Sequence, residues 1–177
     1  MNRFCATFFM LAALLGVSSL AYGDKGLRFE ATLSGAQEVP TVATETTGEI
    51  KVNFDEGLTQ AEFELSVFNG EGVSVAHFHC ERPGRNGPVV IFLYGPVDPI
   101  DVDGELAEGT LTNAGFLPAG AGAGPMDCPA LIGRPINNIA SLAFAMRDGL
   151  IYANVHTVAN PGGEARGQLL EQLLEKK

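Results

Sequence analysis

Apolar and polar residues alternate with period two along most of this chain. Leu27, Phe29, Ala31 and Leu33 follow that rule, as do Ile50, Val52 and Phe54, which run into a turn at Asp55-Glu56-Gly57. Ala61, Phe63, Leu65 and Val67 repeat it before a second turn signal at Asn69-Gly70. Successive side chains of a strand point to opposite faces, so this spacing predicts half-buried strands joined by tight turns. Further strands are expected in VSVAHFHC (73–80), GELAEGTLTN (104–113), LIYANVHTV (150–158) and EARGQLLEQL (164–173), the last of which could instead end in a short helical tail. PVVIFLYG (88–95) is a continuous apolar run and reads as a central strand.

One stretch breaks the period. PINNIASLAFAMRDG (135–149) carries Ile136, Ile139, Leu142, Ala143 and Met146 at helical spacing, with Gly149 as its stop. Residues 114–129, AGFLPAGAGAGPMDCP, are too rich in Gly, Ala and Pro for a regular element and read as a long loop. Short strands with turns roughly every 8–12 residues, no repeat and no linker predict one all-β domain, a sandwich or barrel with one short helix.

The N-terminus adds a compartment. Arg3 precedes an apolar run from Phe4 to Leu15, and the small residues Ala21 and Gly23 flank Tyr22 ahead of Asp24. That is the pattern of a secretory signal peptide over residues 1–23, leaving a single domain over 24–177. The run is shorter than the ~20 apolar residues of a membrane span. Cys5 precedes it instead of marking the cleavage site, so no membrane anchor is expected after cleavage. The expected location is periplasmic or secreted. Cys5 leaves with the leader, and Cys80 and Cys128 are expected to form a disulfide in an oxidising compartment. Closing that loop would contribute roughly 3–4 kcal/mol in the chain-entropy picture. The competing use of Cys80 is thiolate ligation of a metal beside His79. The formal net charge of −10, with no block of Lys or Arg, argues against nucleic acid and anionic membranes as partners.

The three histidines carry the candidate chemistry. His77 and His79 lie two apart on a predicted strand and project to one face, with Phe78 opposite. Phe78 shares the parity of Ala76, not that of Val73 and Val75, so either the histidine face continues the Val73/Val75 side or a bulge intervenes. His156 lies on another predicted strand that runs into a Gly-rich turn. If the two strands are neighbours, three imidazoles converge, a set that suits Cu(II), Zn(II) or Ni(II). A fourth position could be taken by water, Glu164, Asp127 or Met126, the last favouring Cu(I). The alternative is that the histidines merely cap backbone groups or pack half-buried. Their confinement to two strand-plus-glycine-loop stretches favours convergence.

Glu164 and Arg166 follow the turn Asn160-Pro161-Gly162-Gly163 and share one strand face. They read as an ion pair or a clamp that fixes the turn beside His156. A general-base role for Glu164 has no nucleophile to serve. There is no GxSxG elbow, and no Cys–His pair outside the expected disulfide. Ser74 and Ser141 fall in strand and helix patterns, and the 22 glycines include no P-loop or dinucleotide fingerprint. No catalytic residue is assigned.

Taken together, LSGAQEVPTVATETTGEIKVNF, AHFHCERPGRNGPVVIFL, GTLT and YANVHTVANPGGEARGQL resemble the CHRD domain, from about Ala31 to Leu169. That domain is repeated in chordin and found singly in exported bacterial proteins. The resemblance implies an antiparallel Greek-key, immunoglobulin-like or superoxide dismutase-like β-sandwich. Copper–zinc superoxide dismutase also carries His-x-His on a strand and an intrasubunit disulfide. Its site takes four imidazoles at copper and further His and Asp ligands at zinc, which a chain with three histidines cannot complete. The expectation is therefore an exported, non-catalytic protein holding one copper ion, with zinc second, on His77, His79 and His156. The alternative is an extracellular or periplasmic interaction or adhesion module without metal and with an unidentified protein partner, by analogy with chordin. A homodimer is compatible with either. A metal-dependent enzyme would additionally need an open coordination position and a substrate pocket.

Overall fold

The computed structural model describes residues 26–117, 132–133 and 135–173. The expected leader and the candidates Met126, Asp127 and Cys128 lie outside them. The elements are β1 (Arg28–Ser34), β2 (Thr47–Phe54), β3 (Ala61–Cys80), β4 (Val89–Tyr94), β5 (Ile100–Leu111), α1 (Ile139–Arg147), β6 (Ile151–Thr157), β7 (Ala165–Gln168) and β8 (Leu170–Glu171). Every strand pairing is antiparallel. The all-β expectation with one short helix is met.

The alternating segments fold as their period requires. β2 and the first half of β3 form a hairpin from Thr47↔Phe68 to Phe54↔Ala61. Asp55 pins its turn by accepting from the Thr59 N–H (2.8 Å), the Thr59 hydroxyl (2.7 Å) and the Gln60 N–H (2.9 Å). These donors, Gln60 foremost, hold the Asp55 carboxyl below its usual range. Phe29, Leu33, Ile50, Val52, Leu65 and Val67 from this side join Phe78, Ile151 and Val155 in one buried cluster.

Asn69-Gly70 is not a hairpin turn, contrary to the sequence reading; the chain continues through it as the single strand β3. Asn69 (φ 52°) and Gly72 (φ 63°) take left-handed conformations, and the register against β5 slips on either side of Gly70. Side chains from other elements then hold the strand bent. The Thr46 hydroxyl donates to the Asn69 carbonyl (2.9 Å), and the Gly72 N–H donates to the Asp101 carboxylate (2.8 Å). A bulge of this kind bends its strand and turns a corner in the sheet. The first half of β3 lies between β2 and β5, and the second half pairs with β6 and β4. Through Ser34↔Arg166, β1 meets β7, so the path β2-β1-β7-β6-β3 closes back on β2.

Two other segments differ from the sequence reading. PVVIFLYG forms β4, which pairs with β3 alone among the strands and so is not central. Its apolar character has another use. Val90 receives the Leu117 N–H (2.9 Å) from the segment crossing it, and Phe92 packs edge-on against His77. β5 begins at Ile100, earlier than the alternation suggested, because its start pairs beyond the bend of β3. α1 starts with a reciprocal cap between Asn138 and Ser141 and lies against β6 and β8, burying Ile139, Leu142, Ala143 and Met146; Gly149 (φ 69°) follows its end.

Of the two readings offered for the histidine face, the bulge is the one realised. β3 slips by one residue against β6 between Val73 and Val75. Val73 therefore lies in the core together with Ala76, Phe78 and Cys80, and His77 and His79 turn to the opposite face.

Candidate metal centre

Register places the polar residues of three strands on one face. His156 of β6 stands opposite Val75, Asn154 opposite His77, and Tyr152 opposite His79, while Arg166 of β7 stands opposite Asn154. Directly opposed residues of an antiparallel pair project to the same side. This face lies outside the apolar core, yet it is shielded from water. The segments around Glu38–Thr44, Glu81–Pro88 and Thr157–Glu164 cover it, tied together by Asn86 Nδ2 donating to the Val39 carbonyl (2.7 Å) and by Thr44 bonding Glu164. The result is a buried polar layer comprising Glu38, His77, His79, Asn154, His156, Glu164 and Arg166.

The three histidines converge within it. Each is 7% exposed, and one ligand atom from each lies within 4.8 Å of the other two. The ring centroids of His77 are 4.6 Å from His79 and 4.5 Å from His156. His79 Nδ1 donates to the Gly87 carbonyl (2.9 Å), and His156 Nδ1 donates to the Pro161 carbonyl (3.0 Å). Carbonyls accept only, so each bond puts the proton on Nδ1 and the lone pair on Nε2. Those two Nε2 atoms, with His77 Nδ1, are buried and have no hydrogen-bond partner. An ion with bonds of about 2 Å needs nitrogens no more than roughly 4 Å apart, so small ring rotations suffice to close the widest pair.

Burial also keeps these rings neutral. Desolvation, then the neighbouring His79 and His156, lowers the His77 pKa to about 2. Desolvation lowers that of His79 to about 4 against the pull of the Gly87 carbonyl, and His156 is lowered by the same cause against Pro161. The unfolded chain thus takes up protons below about pH 6.5 that the folded protein refuses. Glu38 runs the other way. Burial raises its carboxyl to about 7, so it adds stability below pH 4.5 that is lost as pH rises through 7. Three histidines oppose one carboxyl, so metal-free protein is expected to lose stability as pH falls from 6.5 towards 4. Glu38→Gln should steepen that loss between pH 6.5 and 4.5. Urea midpoints measured across this range check both slopes.

Neighbouring side chains hold His79 in place. Tyr152 stacks on it with centroids 4.8 Å apart and planes 2° from parallel, and the Arg166 guanidinium lies 3.4 Å from the Tyr152 ring centroid. The Gly87 N–H donates to the Tyr152 hydroxyl (3.1 Å) while the Gly87 carbonyl holds His79. Gly87 therefore bridges Tyr152 and His79, and no side chain fits there: a Cβ would lie 2.1 Å from the Cys80 carbonyl oxygen. Gly87→Ala must displace this backbone and break both bonds. The expected result is a loss of about 1–3 kcal/mol in stability and about 10–100-fold in metal affinity, read by urea unfolding and by metal titration.

Comparison with known proteins bears on these residues as a set. The family model of the CHRD domain matches residues 29–169, which include all three histidines, Gly87, Tyr152 and Arg166. The chain belongs to the CHRD family. No curated protein and no solved structure matches it.

In this CHRD domain Glu164 does not join the histidine group. Its carboxylate accepts from Thr44, from Thr157 (2.8 Å) and from Asn160, which clamps the 157–164 turn. Those hydroxyl and amide donors outweigh desolvation and keep the carboxyl below its usual range. Glu164 is thus engaged in the turn, apart from the histidine group. Arg166 is engaged elsewhere, donating to Asn86 Oδ1 (3.1 Å) and to the Arg82 carbonyl (3.5 Å). Glu164 clamps the turn, and Arg166 takes no part in that clamp. Glu38, Gly87, Tyr152 and Asn154 were not singled out beforehand. Tyr152 and Asn154 could have been, since they share the strand parity of His156.

Proposed function

We propose that this CHRD domain is an exported, non-catalytic protein that holds one transition-metal ion on His77, His79 and His156, copper first and zinc second. The observation that carries this reading is the trio of buried, unpartnered ring nitrogens, two of them aimed by backbone carbonyls that fix their tautomers. Neutral imidazoles suit Cu(II) and Zn(II), and ligand histidines ordinarily donate their second N–H to a carbonyl. Residues 1–23, with the features of a leader, support export. A Cys80–Cys128 disulfide belongs to the same reading, because buried Cys80 directly follows His79 and begins the loop that carries Gly87.

Titration of untagged protein with Cu(II) and Zn(II) tests the proposal. A tight one-to-one isotherm that is lost in His156→Ala is expected. A flat isotherm would overturn it and leave an interaction module without metal.

A further inference from the structure

Among the described residues, five buried polar atoms without a partner lie in this one layer: His77 Nδ1, His79 Nε2, His156 Nε2, Asn154 Oδ1 and Glu38 Oε1. The three nitrogens call for a Lewis acid. The two oxygens call for hydrogen-bond donors. Asn154 projects from the histidine face opposite His77 and two residues from His156. Glu38 lies beside Asn154 because position 163 is glycine. A Cβ there would lie 2.7 and 2.8 Å from the two Glu38 oxygens and 2.8 Å from Asn154 Nδ2.

Among the described residues, no hydrogen-bond donor reaches Asn154 Oδ1 or Glu38 Oε1. Arg166 spends its guanidinium on Asn86, on the Arg82 carbonyl and on the Tyr152 ring. Thr44, Thr157 and Asn160 are committed to Glu164. A bare ion would satisfy the nitrogens and leave both oxygens orphaned, whereas an ion carrying water satisfies all five. Resting on the three-histidine reading, we propose that Asn154 and Glu38 are positioning residues for a water molecule that completes the ion's coordination. Water on the ion presents two O–H donors, one for each carboxamide or carboxyl oxygen. The ion thereby keeps one exchangeable position for small oxygen- or nitrogen-donor ligands, of which azide is the simplest probe.

Glu38 faces Arg166 of β7, Glu164 at the head of that strand, and Tyr152 of β6. An anionic Glu38 beside metal-bound water disfavours its ionisation to hydroxide, so an uncharged isostere should shift that ionisation downward. The experiment loads wild-type protein and Glu38→Gln with Cu(II) and records pulsed EPR in D2O and optical spectra against pH. Wild-type protein is expected to show the strongly coupled deuterons of a coordinated water, displaced by azide. Glu38→Gln is expected to bind one Cu(II) but to undergo its spectral transition about one pH unit lower. A copper-loaded wild type without strongly coupled exchangeable deuterons, or an unchanged transition in the variant, overturns the water proposal while the three-histidine site stands. A wild type that retains no Cu(II) overturns the three-histidine reading and this proposal with it.

Discussion

Excess Cu(II) or Zn(II) is expected to raise the melting temperature by roughly 5–10 °C. A ligand bound only by the folded state stabilises it by about 2.7 kcal/mol at one hundred times its dissociation constant. For a domain of this size each kcal/mol moves the melting temperature by about 2–4 °C. The unfolded chain cannot reproduce the site, because His156 is brought to His77 and His79 only by the β3–β6 pairing. His156→Ala should abolish the shift while changing the metal-free melting temperature far less, since its ring makes a single protein hydrogen bond, to Pro161. Differential scanning fluorimetry with and without chelator reads both effects. An equal shift in the variant would locate the metal elsewhere.

The largest destabilisation is expected from Arg166→Ala, at about 3 kcal/mol or more. Arg166 is 2% exposed, and its guanidinium lies against Tyr152 while donating to Asn86. A desolvated cation–π contact contributes about 2 kcal/mol, and a hydrogen bond from a charged donor about 1.5–3 kcal/mol. Truncation removes both. Metal affinity should fall as well, because Tyr152, released on one side, is the ring that stacks on His79. Arg166→Lys should recover little, as an ammonium lacks the flat surface that covers the ring. Urea unfolding with a constant m-value, combined with metal titration of the folded fraction, separates the two effects.

The sequence by itself determined the class of fold and the chemistry on offer. Alternation at Ile50–Phe54 and Ala61–Val67 is a local, period-two property, and those strands form in that register with those residues inward. The spacing of His77 and His79 likewise guaranteed a shared face wherever the strand went, and the helix between Ile139 and Arg147 was written in its apolar spacing and terminal glycine.

Tertiary structure decided which way that face turned and what covered it. One slipped residue between Val73 and Val75 reverses the side on which every later residue of β3 projects, and parity counting alone left that choice open. Asn69-Gly70 carries a sound turn signal, but Thr46 and Asp101 hold it as a bend, from 23 and more than 25 residues away in the chain. Glu164 stays apart from the histidine group because Thr44, 120 residues distant, bonds its carboxylate. Burial of the histidines depends on three separate segments folding over the sheet. Such partners are selected by pairing between remote strands, and a period of two says nothing about which strands will meet.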